Sequence, residues 1–146
     1  MYQRILVPID GSATSGRALD ETVKFAQQHN AQVEVLYVLE DVLYFENDDY
    51  LNYAELLHSM RCSGEKTLAQ AQQKLQQAGI VSEKKLLEAQ GARVANVIVD
   101  EAQNYLADLI IIGTHGRPGF SRILLGSVAE GVVRTAHIPI LLIRSS

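Results

Sequence analysis

Residues 109–127 read LIIIGTHGRPGFSRILLGS, and this stretch decides the fold class. Its first four residues are apolar at every position, which is typical of a strand covered on both faces. A glycine-rich loop follows, and Gly126-Ser127 then leads into a helical pattern over residues 127–136. A covered strand that leads through a loop into a helix predicts an α/β protein.

The rest of the chain repeats the same alternation of strand and helix. Strands are predicted at residues 4–9, 33–39, 85–88, 109–112 and 140–143, the third being weak, and helices at 14–28, 49–78, 93–105 and 127–136. Helices of this length serve as crossovers, so the pattern predicts a doubly wound parallel sheet with helices on both faces. The 146 residues fit a single domain spanning residues 1–146.

Composition excludes several classes of protein. Hydrophobic residues make up 47% and charged residues 21%, which are the values of a folded globular chain. No apolar run approaches the roughly 20 residues of a membrane helix, so we expect no membrane insertion. Lys and Arg form no dense cluster, so we expect no nucleic-acid partner. The start has no signal-peptide pattern and Cys62 is the single cysteine, so we expect a cytoplasmic protein.

Charge is distributed unevenly along the chain. Acids concentrate in residues 40–52, EDVLYFENDDYLN, for which a solvated loop and a mobile lid or partner-docking surface are both open interpretations. Residues 109–129 contain no acid but include Arg117 and Arg122. The second region could therefore hold an anion, with one of these two arginines in contact.

The loop after the fourth strand has the features of a phosphate cradle. Its glycines allow backbone N–H groups to close around an anion, and Gly126-Ser127 begins a helix, where the dipole favours negative charge. Ligands of open α/β sheets bind at the carboxyl ends of strands, which is where this loop lies. The alternative is that the glycines only form turns and Ser127 only caps the helix. Neither a G-x-G-x-x-G fingerprint after the first strand nor a P-loop motif is present.

Three segments resemble the universal stress protein family. Gly113-x-x-Gly116, nine residues and then Gly126-Ser127 match the family's G-2x-G-9x-G-[S/T] element. The start, ILVPIDGS at residues 5–12, looks like the family's first strand and acidic turn, and IPILLI at 138–143 looks like its last strand. The resemblance covers essentially the whole chain.

The resemblance implies a sheet of order 3-2-1-4-5, Rossmann-like and similar to the adenine nucleotide α-hydrolases, and membership of the ATP-binding branch. It also implies a site for ATP, ADP or AMP. In that site Pro8, Ile9 and Asp10 line the base and ribose, the Val38 backbone meets adenine, and Gly113, Gly116, Gly126 and Ser127, followed by Val128, hold ribose and phosphates. Arg117 is a further candidate phosphate contact.

Two residues of the first turn have competing interpretations. Asp10 could bind a ribose hydroxyl or, through water, Mg²⁺ carried by the nucleotide phosphates, or it could be a turn acid. Ser12 could reach a phosphate or cap the first helix. We expect no metal site formed by the protein alone.

The resemblance favours a nucleotide-responsive regulatory module that tunes a partner protein or a stress response. The alternative is a slow ATPase or a self-phosphorylating enzyme that uses the same site, but the sequence contains no visible catalytic pair. The apolar last strand at the sheet edge predicts a homodimer through residues 140–143, which could extend to a higher oligomer. The regulated protein partner is not identified by the sequence.

Overall fold

A computed structural model describes residues 2–40, 50–115 and 125–144. Its elements, in chain order, are β1 (Arg4–Pro8), α1 (Ala13–His29), β2 (Gln32–Leu39), α2 (Tyr50–Gln77), β3 (Ser82–Glu88), α3 (Val94–Tyr105), β4 (Leu109–Gly113), α4 (Ser127–Thr135) and β5 (Ile140–Ile143). The strands pair in parallel in the order β3-β2-β1-β4-β5. The predicted doubly wound α/β sheet and its order are therefore confirmed.

The sheet separates two apolar cores. Side chains alternate along a strand, so Ile5 and Val7 of β1 face one core while Leu6 faces the other. Helices α1 and α2 cover the first core, to which they contribute Leu19 and Leu68 among others. Helices α3 and α4 cover the second core. Burial on both faces explains why the central strands are apolar at nearly every position.

The strand β3 is longer than the sequence predicts. It begins at Ser82 rather than at residue 85, and its side chains are exposed or half-buried along the whole strand. The prediction was wrong here because β3 lies at the edge of the sheet, where Glu83 and Lys84 can point to solvent and hide the apolar alternation. Of the described helices, none is long and apolar enough to cross a membrane.

Small residues allow the helices to pack closely. A Cβ atom added at Gly131 of α4 would lie 2.6 Å from the Cβ atom of Ala95 on α3. Such a separation is far below van der Waals contact, so the two helix backbones approach as closely as they do only because residue 131 has no side chain. Gly16 of α1 presents the opposite case, since a Cβ atom there would meet nothing within 4 Å.

These two helical glycines give a matched pair of predictions. Gly131→Ala should lower the free energy of unfolding by about 1 kcal/mol, because overpacking of about 1–3 kcal/mol exceeds the gain in helix propensity. Gly16→Ala should raise it by about 0.5–1 kcal/mol, because only the propensity changes. Urea denaturation of both variants measures the difference. A stabilised Gly131→Ala protein would contradict the close contact between α3 and α4.

Candidate functional site

A crevice opens between β1 and β4 at the carboxyl edge of the sheet. The two strands pair only at Ile5↔Leu109 and Leu6↔Ile110. Beyond these pairs β1 stays with β2, since Ile9 N donates to Leu36 O at 2.8 Å. The strand β4 continues instead alongside β5, as far as Gly113. The strand order reverses between β1 and β4, and ligands of doubly wound folds bind at such a point.

The turn after β1 is held by its own polar groups. Asp10 Oδ1 accepts a hydrogen bond from Ser12 N at 2.9 Å, and Gly11 between them has φ +82°, a conformation that favours glycine. Ser12 Oγ in turn accepts from Ser15 N at 3.2 Å and caps α1. The turn and cap interpretations of Asp10 and Ser12 are therefore confirmed. Asp10 Oδ2 has no hydrogen bond within the described part of the chain.

Gly113 and Gly126 each fit where a side chain would collide. A Cβ atom at Gly113 would lie 2.6 Å from Thr14 Cγ2 of α1, and one at Gly126 would lie 2.8 Å from Thr114 O. That same carbonyl oxygen accepts a hydrogen bond from Gly126 N at 2.7 Å. Both glycines thus bring the first turn of a helix against the end of β4.

The start of α4 presents backbone donors beside this strand end. Gly126 is the N-cap, without a side-chain cap, and Glu130 N donates to Gly126 O as the first bond of the helical ladder. The N–H groups of Ser127, Val128 and Ala129 therefore precede the ladder, as the first N–H groups of any α-helix do. Such groups, together with the helix dipole, form a binding site for anions.

The remaining predicted site residues fall into two groups. Pro8 ends β1 and pairs with Leu36, so Val38 lies two residues further along β2 toward the carboxyl edge. Ile9 is buried, and Val38 is half-buried among the side chains on the α3 side of the sheet. Gly116 and Arg117 lie outside the described residues, as do Arg122 and most of the acidic segment 40–52. The structure brings four predicted site residues to one edge of the sheet, namely Asp10, Gly113, Gly126 and Ser127.

Three threonines at this edge were missed by sequence reasoning. Thr14 packs against Gly113, and Thr114 is buried with its Oγ1 2.9 Å from His115 Nδ1. Thr67 of α2 reaches the first turn, where its Oγ1 would lie 3.7 Å from a Cβ atom at Gly11. Thr14 could have been found as a first-turn residue of α1. No local signal in the sequence marks Thr67, because its contact depends on how α2 crosses the sheet.

Metal binding is limited by the ligands available. No group of three or more His, Cys, Asp or Glu side chains suited to a metal ion occurs in residues 2–40, 50–115 and 125–144. Asp10 brings one carboxylate to the crevice. A divalent cation held there would therefore take most of its ligands from a bound molecule and from water, as Mg²⁺ does with phosphates.

Known proteins are similar to this chain in both sequence and fold. The model of the universal stress protein family matches residues 1–144. A universal stress protein of Methanocaldococcus jannaschii is 34% identical over 145 residues, which cover 99% of this chain and 83% of that protein.

Solved structures agree with these matches. The universal stress protein UspA of Lactobacillus plantarum superposes with a TM-score of 0.84 at 28% identity, covering 98% of each chain. The universal stress protein of Archaeoglobus fulgidus, solved in complex with dAMP, gives 0.71 at 26% identity, covering 97% of this chain and 98% of that one. Together with the five-stranded order of the sheet, these similarities establish that the chain belongs to the universal stress protein family.

Proposed function

We propose that this protein is a regulatory module that binds an adenine nucleotide in the crevice between β1 and β4. The observation that carries the proposal is the hydrogen bond from Gly126 N to Thr114 O, which holds the donor-rich start of α4 against the end of β4. An anionic group at that position would meet the N–H groups of Ser127 and Val128 and the positive end of the helix dipole.

The nucleoside part of the ligand would occupy the β1 side of the crevice. Asp10 Oδ2 can accept a hydrogen bond from a ribose hydroxyl, since Oδ1 already holds the turn. The backbone of Val38 would meet adenine, and Pro8 and Ile9 would line the base and ribose. The dAMP complex of the Archaeoglobus relative supports an adenine nucleotide as the ligand class. We propose ATP as the ligand, with ADP and AMP as competitors for the same site. The phosphates would also be approached by Gly113, Gly116 and Arg117.

Binding accounts for the site better than turnover does. Phosphoryl transfer needs a positioned base for the attacking group and a fixed metal. The carboxylate of Asp10 is partly committed to Ser12 N, and any Mg²⁺ would depend on the phosphates for its position. We therefore propose that nucleotide occupancy, rather than hydrolysis, is the signal passed to a protein partner in a cytoplasmic stress response.

The exposed edge of β5 supports a homodimer. Leu141 and Leu142 are each 36% exposed, and β5 pairs with β4 on one side only. Pro139 O and Ile143 O accept hydrogen bonds from Ile110 N and Thr114 N. Because the backbone groups of successive strand residues point to opposite edges, the N–H of Leu142 points to the open edge. A second copy could pair with this edge and close it, and such two-fold dimers could associate further.

A negative charge placed at the start of α4 should affect ATP affinity and helix stability in opposite directions. Ser127→Asp should raise the dissociation constant for ATP at least about tenfold, which is ~1.4 kcal/mol, because the carboxylate takes the position of a phosphate. The same change should stabilise the helix by about 0.3–1 kcal/mol through its dipole. Isothermal titration and thermal unfolding measure the two effects.

Asn96→Asp is the matched control for Ser127→Asp. It adds the same charge to the exposed first turn of α3 and should stabilise similarly while leaving ATP affinity within about twofold, since exposed charges are screened. Equal ATP affinity in Ser127→Asp and Asn96→Asp would show that the start of α4 does not bind phosphate.

Turnover should be far slower than the roughly 10 s⁻¹ of a typical enzyme when the protein is supplied with ATP and Mg²⁺. Phosphate release over hours and radiolabel transfer to the protein are the two measurements. A rate near that of a typical enzyme, lost in Asp10→Asn, would establish the enzymatic alternative instead.

A proline in β5 tests the dimer. Leu142→Pro removes a donor from the open edge and leaves the carbonyl groups that bond to β4 in place, so it should shift the protein to monomer. Leu142→Ala keeps the donor and should remain dimeric. Analytical ultracentrifugation distinguishes the two, and an unaltered protein that sediments as a monomer at micromolar concentration would rule the dimer out.

A further inference from the structure

Two buried carboxyl groups face each other between the sheet and α3. Glu34 of β2 is 3% exposed and Glu101 of α3 is 2% exposed. Glu34 shares its face of the sheet with Leu6 and Leu36, in the core that α3 and α4 cover. Carboxyl groups are almost never buried this deeply unless they are paired.

One cation serves both carboxyl groups. Lys85 Nζ lies 3.2 Å from Glu101 Oε1, and its side chain is 46% exposed. Neither Glu34 Oε1 nor Glu101 Oε1 has an aligned hydrogen-bond partner in the described part of the chain. Two ionised carboxylates are acceptors only and cannot satisfy each other, whereas a proton on one of them makes it a donor to the other.

The groups around the pair include charges of both signs. Its titratable neighbours are Glu83 and Lys85 of β3 and Tyr105 of α3, and Tyr105 lies in turn beside Arg4 of β1 and Asp108 before β4. Arg4 is engaged elsewhere, with its guanidinium 4.1 Å from the centre of the Tyr105 ring and Nε donating to Tyr105 O.

Burial is the main cause that raises the pKa of Glu34, to about 8. The proximity and the charge of Glu101 add to this shift, Glu83 adds a little, and Lys85 opposes it. An exposed glutamate has a pKa near 4.5. At neutral pH the folded protein therefore holds a proton on this pair that an opened state would lose.

We propose that Glu34 and Glu101 share one proton and form a proton-dependent latch that seats α3 on β2. Opening α3 exposes both carboxyl groups and releases the proton, so a rise in pH favours the open state. The consequence extends to α4, because Ala95 of α3 is in close contact with Gly131 of α4. The latch is independent of the nucleotide site and stands whether or not a nucleotide binds.

The sign of the effect follows from the direction of the shift. The pKa of Glu34 is higher in the closed state than in the open state, so the closed state binds more protons between about pH 4.5 and 8. The stability of the closed α3 is therefore complete below this window, falls as pH rises through it and levels off above it. Within the window the opening constant should rise about tenfold per pH unit.

Native-state hydrogen exchange, corrected for the intrinsic rate at each pH, measures this opening constant. Between pH 5.5 and 7 the amides of Ile98 and Ala102 in α3 should show the tenfold rise per unit, while those of Thr22 and Ala26 in α1 should show a much smaller one. An equal slope in α1 and α3 would mean that global unfolding, and not the opening of α3, releases the proton, and it would overturn the latch.

Glu34→Gln should abolish the slope in α3, because the amide imitates the protonated acid and donates to Glu101. Glu83→Gln is the matched control, since it removes an exposed acid from the neighbouring strand and should keep the slope. The carboxyl carbon resonance of Glu34 in the unaltered protein is an independent test that needs no variant. Titration of that resonance near the ordinary pKa of 4.5 would overturn the proposal.

Discussion

The candidate site depends on the hydrogen bond between Gly126 N and Thr114 O. It closes the long connection between β4 and α4, so that the helix begins beside the strand end it followed. A side chain at residue 126 would press on that same oxygen. The start of α4, whose first N–H groups precede the helical ladder, is thus positioned by one backbone contact that glycine permits.

The strand pairing supplies the space that this contact borders. Because β1 follows β2 and β4 follows β5 beyond Leu6 and Ile110, the two central strands separate where the chain leaves the sheet. Gly113 then lets α1 approach from the other face through Thr14. The first turns of two helices, α1 and α4, consequently lie against the end of β4.

Most of the fold could be predicted from the sequence because its periodicity is unambiguous. The fully apolar run at Leu109 and its three successors is typical of a covered strand, and the alternation with long helices leaves few topologies. The start of β3 was missed because this edge strand carries charged residues on both of its faces, which hides the apolar alternation. That Gly113 and Gly126 let the backbone close around a phosphate stays a prediction, and their contacts with Thr14 and Thr114 required the three-dimensional arrangement.

Glu34 shows a different limit of sequence reasoning. In VEVLYVL, an acid that alternates with valines looks like a residue on a solvated face, although Leu36 and Val38 on the same face are apolar and a helix was predicted over each face. Only the placement of α3 turns that face into a core and brings Glu101 opposite. A buried acid lowers stability unless it gains a proton or a cation, and Lys85 provides one cation for two acids. The α1 and α2 side of the sheet, by contrast, is packed mainly by apolar contacts, whose strength does not change with pH.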